Sequence, residues 1–492
     1  MERLEQKLDW IIEADIMALQ AAMEAGSVTS EEIVRYYMTR IRNCDQSINS
    51  ILEINPDAVH IARALDKERL EQGCRGMLHG IPVLLKDNID TGDRMHTSAG
   101  SVALADSFAA SDSFVAARLR SAGAVLLGKT NMTEWSNFMS GSMPAGYSSR
   151  GGLVLNPYGP GELFVSGSSS GSAAAVAANM GAAAIGTETA GSIVGPACQN
   201  NVVGIKPTVG LVSRSGVIPI SYSQDTPGPI ARTVTDAAIL LGALTGVDDN
   251  DPATLRSVNR AFADYTPFLD AGFLRHARIG IPRHYYRHLD PERLAIMETA
   301  IAALKDAGAT IIDPVAVRVE PSNWNNDIIA YEFKKGLNRY LSRLADSVPV
   351  HSLQELIAYN SLHAETALRY GQDTLIRSQE TTLTGEAYRR KKEEAWRAAV
   401  PEGLDAVMDR ERLDALMLPG DVDGMYAAAR LGYPLIAVPA GYCSKGTVDA
   451  DGDCTKGPFG AVFSGKAFSE PVLIKIAYGF EQATRHRFPP LI

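Results

Sequence analysis

Residues 163–197 read LFVSGSSSGSAAAVAANMGAAAIGTETAGSIVGPA, and the organisation of the chain follows from them. Ser166, Ser168, Ser169, Ser170, Ser172 and Ser192 stand here among closely spaced Gly and Ala. Such small side chains bury little apolar area, so a long run of them makes a poor core unless the backbone itself must approach something closely. Gly167 and Gly171 bracket three hydroxyls, and SAAAVAANM then has a helix former at nearly every position, which predicts a loop followed by a buried helix. AAIGTETAGSIVGPA predicts a short apolar strand and then a turn that carries Ser192. A helix between Ser168 and Ser192 returns the chain to the starting edge of a sheet, so two serines distant in sequence can meet.

Serine is a weak nucleophile at neutral pH and needs a base within hydrogen-bond reach. Lys86 ends HGIPVLLKDN, where Ile81, Val83, Leu84 and Leu85 predict a buried strand with the amine at its tip. Burial lowers a lysine pKa from about 10.4 by as much as roughly 3 to 5 units, so a neutral Lys86 is a candidate base. A second pattern competes for the same loop. Gly167 to Gly171 fits G-x-S-x-G, which would make Ser169 a nucleophile relying on a later acid and histidine. His276, His284, His288, His351, His363 and His486 follow it, none in a loop of matching pattern, while His79 and His96 precede it and read as structural.

A third reading comes from another class. Gly123 to Thr130, GAVLLGKT, satisfies the phosphate-loop pattern G-x-x-x-x-G-K-[ST] and would imply nucleotide binding. Against it, AVLL itself reads as a strand whose N–H groups are engaged in a ladder, whereas a phosphate cradle needs them free. There is no H-E-x-x-H and no C-x-x-C, and the nine histidines are scattered, so neither a metal nor a cofactor is expected.

The chain has 492 residues, 46% hydrophobic and 21% charged, with a formal net charge of -10. It is long enough for a large core, and no Lys/Arg stripe marks a nucleic-acid surface. Cys44, Cys74, Cys198, Cys443 and Cys454 are odd in number and widely spaced, which fits a reducing compartment, although Cys443 and Cys454 could pair across a hairpin. MERLEQKLDWIIEADI is too charged for a signal peptide, which predicts a cytoplasmic protein, and a chain whose leader had been removed would read the same. No run reaches the roughly 18 apolar residues of a membrane span.

Helical spacing dominates residues 5–43 and 55–72, which predicts an N-terminal helical wrap over 1–75. From 76 onward short apolar strands alternate with helices: IPVLL, the helix DSFVAARLRSAG, AVLLG, then the small-residue stretch. This predicts a single large α/β domain over 76–492, a central mixed sheet with helices on both faces. GVIPISYSQDTPGPIAR reads as strand and turn, with Asp225 and Arg232 as a structural ion pair that fixes it. A mainly helical insertion is expected around 320–410, its helix after 352 opened by a capping box from Ser352 to Glu355.

HGIPVLLKDN, GAVLLGKTN, GSSSGSAAAVAA, GTETAGSIVGPA and VVGIKPTVGLVSRSGVIP, in this order, resemble the amidase signature family, and the pattern resumes in GYPLIAVPAGY and AFSEPVLIKIAYGFEQ. GTETAGSIV and GSSSGS are most similar to the peptide amidases, which remove ammonia from C-terminal carboxamides. The resemblance implies a catalytic Lys86, a relay Ser168 held in a cis peptide, an acylated Ser192, and an oxyanion hole from the N–H groups of Thr189, Ala190, Gly191 and Ser192. It also implies a small-molecule or peptide amide as substrate, water as co-substrate, and a monomer or homodimer. Two positions depart from the pattern. Ala190 stands where an acidic residue is expected in peptide amidases, and Val194 replaces the Arg common after the nucleophile, which leaves aryl anilides or carbamates as alternative substrates.

Overall fold

The computed structural model describes residues 8–317, 326–399, 403–420, 422–448 and 452–492. In chain order the strands are β1 (Ile51–Ile54), β2 (Pro82–Lys86), β3 (Val125–Thr130), β4 (Tyr147–Ser148), β5 (Gly152–Leu153), β6 (Ala183–Glu188), β7 (Val203–Lys206), β8 (Thr226–Ala231), β9 (Arg278–Gly280), β10 (Thr310–Ile312), β11 (Ala415–Pro419), β12 (Leu435–Cys443) and β13 (Gly457–Ser464). Eleven of them form one mixed sheet in the order β1-β3-β2-β6-β8-β7-β12-β13-β11-β9-β10, and β4 and β5 make a separate hairpin. The fold is a large α/β domain flanked by helices, as the alternating pattern predicts.

β2 runs parallel to both neighbours, β3 and β6, and every residue of PVLLK is buried. A strand covered on both faces reads as a continuous apolar run, which is why Lys86 stands out at its end. Helix Ser170–Ala177 is buried along its whole length and packs on β6. Its small residues allow the approach: the Gly171 N–H donates to the Asn131 carbonyl at 3.0 Å, just beyond β3.

Three strands of the large sheet escaped the sequence pattern. β1 lies inside the stretch read as a helical wrap and joins the sheet edge antiparallel to β3, so that stretch is not wholly helical. β13 is inserted between β12 and β11. β8 carries Pro227 and Pro229 yet pairs along its full length with β6; its other neighbour, β7, meets only Ile230 and Ala231, so the prolines lack a ladder on that side.

The expected insertion is helical where described, with helices Asn326–Leu341, Leu353–Leu362, Ala364–Ala367, Asp373–Gln379 and Gly385–Ala399; residues 320–325 and 400–402 of it lie outside the described residues. Ser352 caps its helix, but Glu355 returns its bond to the His351 N–H rather than to Ser352. The insertion shares an apolar cluster with the loops beside the sheet, in which Phe333, Leu337 and Leu356 meet Trp135, Met139, Ile218 and Ile220. Cys443 and Cys454 are both free thiols and do not pair. No described helix is long and apolar enough to cross a membrane.

A β-carbon at position 171 would stand 2.3 Å from the Asn131 carbonyl oxygen and 2.4 Å from that of Ser50, both backbone atoms that cannot swing away. Gly171→Ala is therefore expected to destabilise the protein by about 1–3 kcal/mol, the usual range for overpacking, and to lower the calorimetric Tm by a few degrees. An unchanged Tm would show that the helix can back off without cost.

Candidate active site

Lys86 and Ser168 meet: the distance from Nζ to the Ser168 Oγ is 2.7 Å, and Nζ also reaches the carbonyl and the hydroxyl of Thr187 at 3.2 and 3.0 Å. Lys86 and Ser168 are completely covered and Ser192 is 7% exposed. Burial pulls the Lys86 amine down from 10.5 to about 7, although the negative charges of Glu188 and Asp225 pull the other way. Among the described residues, no carboxylate forms an ion pair with it. Thr187 in turn receives the Asn88 amide at 3.0 Å.

The serine loops are tied through backbone. The peptide from Gly167 to Ser168 is cis. The Ser168 carbonyl receives the Thr133 N–H at 3.1 Å, and the Ser169 N–H donates to the Ser192 carbonyl at 3.1 Å, which joins the loop before the buried helix to the turn after β6. Ser169, the competing nucleophile, is also fully buried. Its hydroxyl donates to the Thr187 carbonyl at 3.1 Å and accepts the Thr187 N–H at 3.2 Å, so it staples loop to strand, and no histidine among the described residues hydrogen-bonds it.

The turn that carries Ser192 is organised by an acid the sequence pattern left unread. Glu188, the last residue of β6, accepts the N–H groups of Gly191, Ile193 and Val194 at 2.8, 2.7 and 3.0 Å. This corrects one expected oxyanion donor: the Gly191 N–H is committed to Glu188, because the carboxylate at the strand end gathers the N–H groups of the turn. The N–H groups of Thr189, Ala190 and Ser192 donate to no described residue. An acid directly before a Thr-Ala-Gly-Ser turn is the signal that could have revealed this, since such a turn leaves several N–H groups without ladder partners.

A cleft lined by Asn88, Ser136, Thr187, Glu188, Thr189, Arg214, Val217, Ile218, Ile220, Asp225, Thr226 and Pro227 opens beside these residues. Asp225 belongs to it and not to an ion pair with Arg232. Its carboxylate accepts the Thr189 hydroxyl at 2.6 Å and the N–H groups of Ile220 and Ser221, each at 2.8 Å, and burial raises it to about 6. Arg232 instead donates to the carbonyls of Gly181 and Ala14, each at 2.8 Å. Arg214 is occupied by Asp251 and by the Tyr222 carbonyl.

GAVLLGKT does not form a phosphate loop. Val125–Thr130 is a strand, and the buried Lys129 amine donates to the Ile89 carbonyl at 2.7 Å and the Thr97 hydroxyl at 2.9 Å. His79 bonds the Leu65 carbonyl and His96 pairs with Glu53, both outside the cleft. Among the described residues, no group of three or more His, Cys, Asp and Glu side chains is placed to hold a metal.

A family model described as "Amidase" matches residues 32–470. An Arabidopsis thaliana protein, "Probable amidase", is 41% identical over 98% of this chain and 92% of its own. The solved structure of the peptide amidase from Stenotrophomonas maltophilia is 44% identical, superposes with a TM-score of 0.89, and aligns over 97% of this chain and 98% of its own. An amidase family protein from Bacillus anthracis, 39% identical, superposes with a TM-score of 0.93 over 100% of this chain and 95% of its own.

Between about 7 and the ordinary 10.5, the unfolded chain holds a proton on Lys86 that the folded chain lacks. Stability therefore rises with pH across that window, and the cost of burying an ammonium is felt in full below it. Lys86→Met is expected to gain stability relative to the parent at about pH 6 and to lose much of that gain at about pH 10. Urea midpoints of both proteins at the two pH values check this; a difference that does not move with pH would mean an unshifted lysine.

Proposed function

The chain belongs to the amidase signature family and is an amide hydrolase, and from that premise we propose that Lys86, Ser168 and Ser192 form its catalytic triad and that C-terminal peptide carboxamides are its substrates. The observation that carries the reading is the 2.7 Å contact between Ser168 Oγ and a buried amine whose pKa is about 7. A neutral amine has two N–H bonds and one lone pair. The two Thr187 oxygens, at 3.0 and 3.2 Å, can take the two N–H bonds, which leaves the lone pair for the Ser168 proton.

In the proposed cycle Lys86 draws the proton of Ser168, Ser168 draws that of Ser192, and Ser192 Oγ bonds to the amide carbon. The carbonyl oxygen becomes an oxyanion facing the N–H groups of Thr189, Ala190 and Ser192, and such donors each contribute a few kcal/mol, of order 3, to the transition state. The C–N bond breaks as the proton returns through Ser168 to the nitrogen, and ammonia leaves. Water then attacks the acyl ester, gives one proton back along the same path, and restores Ser192.

Similarity to a solved peptide amidase supports the carboxamide as substrate. One observation favours a second reading, hydrolysis of aryl anilides or carbamates: Ala190 places a half-buried methyl group where an acid is expected in peptide amidases.

Ser192→Ala is expected to keep its circular dichroism spectrum while kcat on a peptide carboxamide falls at least about a thousandfold. Near-parental turnover would remove Ser192 as the nucleophile. In the parent, kcat/KM should decline below about pH 7, the value to which Lys86 is lowered, because the protonated amine cannot accept from Ser168. A rate that holds to about pH 4 would indicate a carboxylate base instead. For the substrate, Ala190→Asp should shift the ratio of kcat/KM for a peptide carboxamide over its anilide by about tenfold or more toward the carboxamide, the value of one charge-assisted hydrogen bond. A ratio that stays put, or moves toward the anilide, would refute the role given to residue 190.

A further inference from the structure

Glu332 lies on helix Asn326–Leu341 with its side chain fully covered, in the insertion and far in sequence from the serines. Its Oε2 accepts the Ser221 hydroxyl, the Ser223 hydroxyl at 2.9 Å and the Ser223 N–H at 3.1 Å. Its Oε1 accepts the Tyr388 hydroxyl from helix Gly385–Ala399, and Lys392 Nζ stands 3.8 Å from the same oxygen. One buried acid thus joins two inserted helices to a single loop.

That loop is the wall of the cleft. Ile220 and Asp225 line it, and Asp225 receives the N–H groups of Ile220 and Ser221 on one oxygen and the Thr189 hydroxyl on the other. Hydrogen bonds therefore run without a break from Tyr388 through Glu332, Ser221 and Asp225 to Thr189. The Ile220 side chain also packs in the same apolar cluster as Phe333, the residue after Glu332.

Resting on the reading that Ser192 is acylated beside this cleft, we propose that Glu332 is a positioning residue for catalysis: it fixes the 220–225 loop so that Asp225 holds Thr189 with its backbone N–H aimed at the developing oxyanion. Donors to an oxyanion act through geometry, needing to stand within about 2.7–3.1 Å of where the charge appears. Charge-assisted bonds to a carboxylate are the strongest way to hold a loop to that tolerance. The Ser223 N–H on one oxygen and the Lys392 ammonium near the other can only donate, so a glutamine here would set its own NH2 group against one of them.

The test is a double-mutant cycle between Glu332→Gln and Thr189→Val, which cuts the bond to Asp225. Turnover of a peptide carboxamide is measured per active site, the sites being counted by the burst released from a nitrophenyl ester. Glu332→Gln alone is expected to lower kcat per site by about ten- to a hundredfold with KM changed less than about threefold. In the Thr189→Val background the same change should cost less than about twofold, because the path it acts through is already broken. If Glu332→Gln fails to fold, Ser221→Ala combined with Ser223→Ala takes its place in the cycle. The proposal is overturned if kcat per site stays within twofold of the parent, if the loss is confined to KM, or if the two changes multiply. Ser192→Ala is run alongside. A Ser192→Ala protein that turns over sinks the nucleophile reading itself, whereas a dead one together with multiplicative costs leaves that reading standing and removes only Glu332.

Discussion

The arrangement depends on one buried amine, Lys86, with which no described carboxylate pairs. Lys86 is sealed at the end of β2 between two parallel neighbours, and the energy of holding an ammonium in such a place, several kcal/mol per ion, exceeds what two nearby acids return. Those acids are turned away from it. Glu188 spends its oxygens on three N–H groups of the Ser192 turn, and Asp225 spends its own on Thr189 and two N–H groups of the cleft wall. Each is satisfied without taking the lysine as partner, so the amine is left with hydroxyls and a carbonyl. A direct ion pair would have restored the charge and removed the base that the proposed mechanism needs.

Small residues then supply what side chains cannot, which is backbone at contact distance. A β-carbon on Gly167 would meet the Thr133 hydroxyl at 2.3 Å, and one on Gly186 would meet the Ser169 hydroxyl at 2.8 Å. Both glycines lie where the serine loop is pressed against its supports. The low apolar area of this stretch is offset elsewhere, in the continuous core that Leu84, Ile205 and Ile436 build along the sheet.

What the sequence makes legible follows from contrast. Lys86 is conspicuous because it ends an apolar run, and Ser168 and Ser192 because hydroxyls recur at close spacing among glycines. β1, with four half-buried residues between helices, offers no period to read, and β8 and β13 are disguised by Pro and Gly that ordinarily mark turns. Asp225 and Arg232 were misread for a geometric reason. Strand β8 runs between them, and seven residues of extended chain span roughly 20 Å, so neighbours in sequence end at opposite ends of the strand. Glu332 was illegible because its partners, Ser221 and Ser223, are 111 and 109 residues away, and no local pattern foretells which loop an inserted helix will meet.

Glu188 shows why the site commits a donor that the resemblance had assigned to the oxyanion. A turn that must present several N–H groups to a charge appearing only in the transition state is unstable on its own, since unpaired N–H groups out of water are costly. By gathering Gly191, Ile193 and Val194 onto one carboxylate, the chain fixes the turn before any substrate arrives, and the N–H groups of Thr189, Ala190 and Ser192 keep no partner among the described residues. Rigidity set in advance is what makes such donors effective, because no reorganisation is then required as the charge develops. In the proposed mechanism the turn therefore gives up one hydrogen bond to the oxyanion and gains fixed positions for the others.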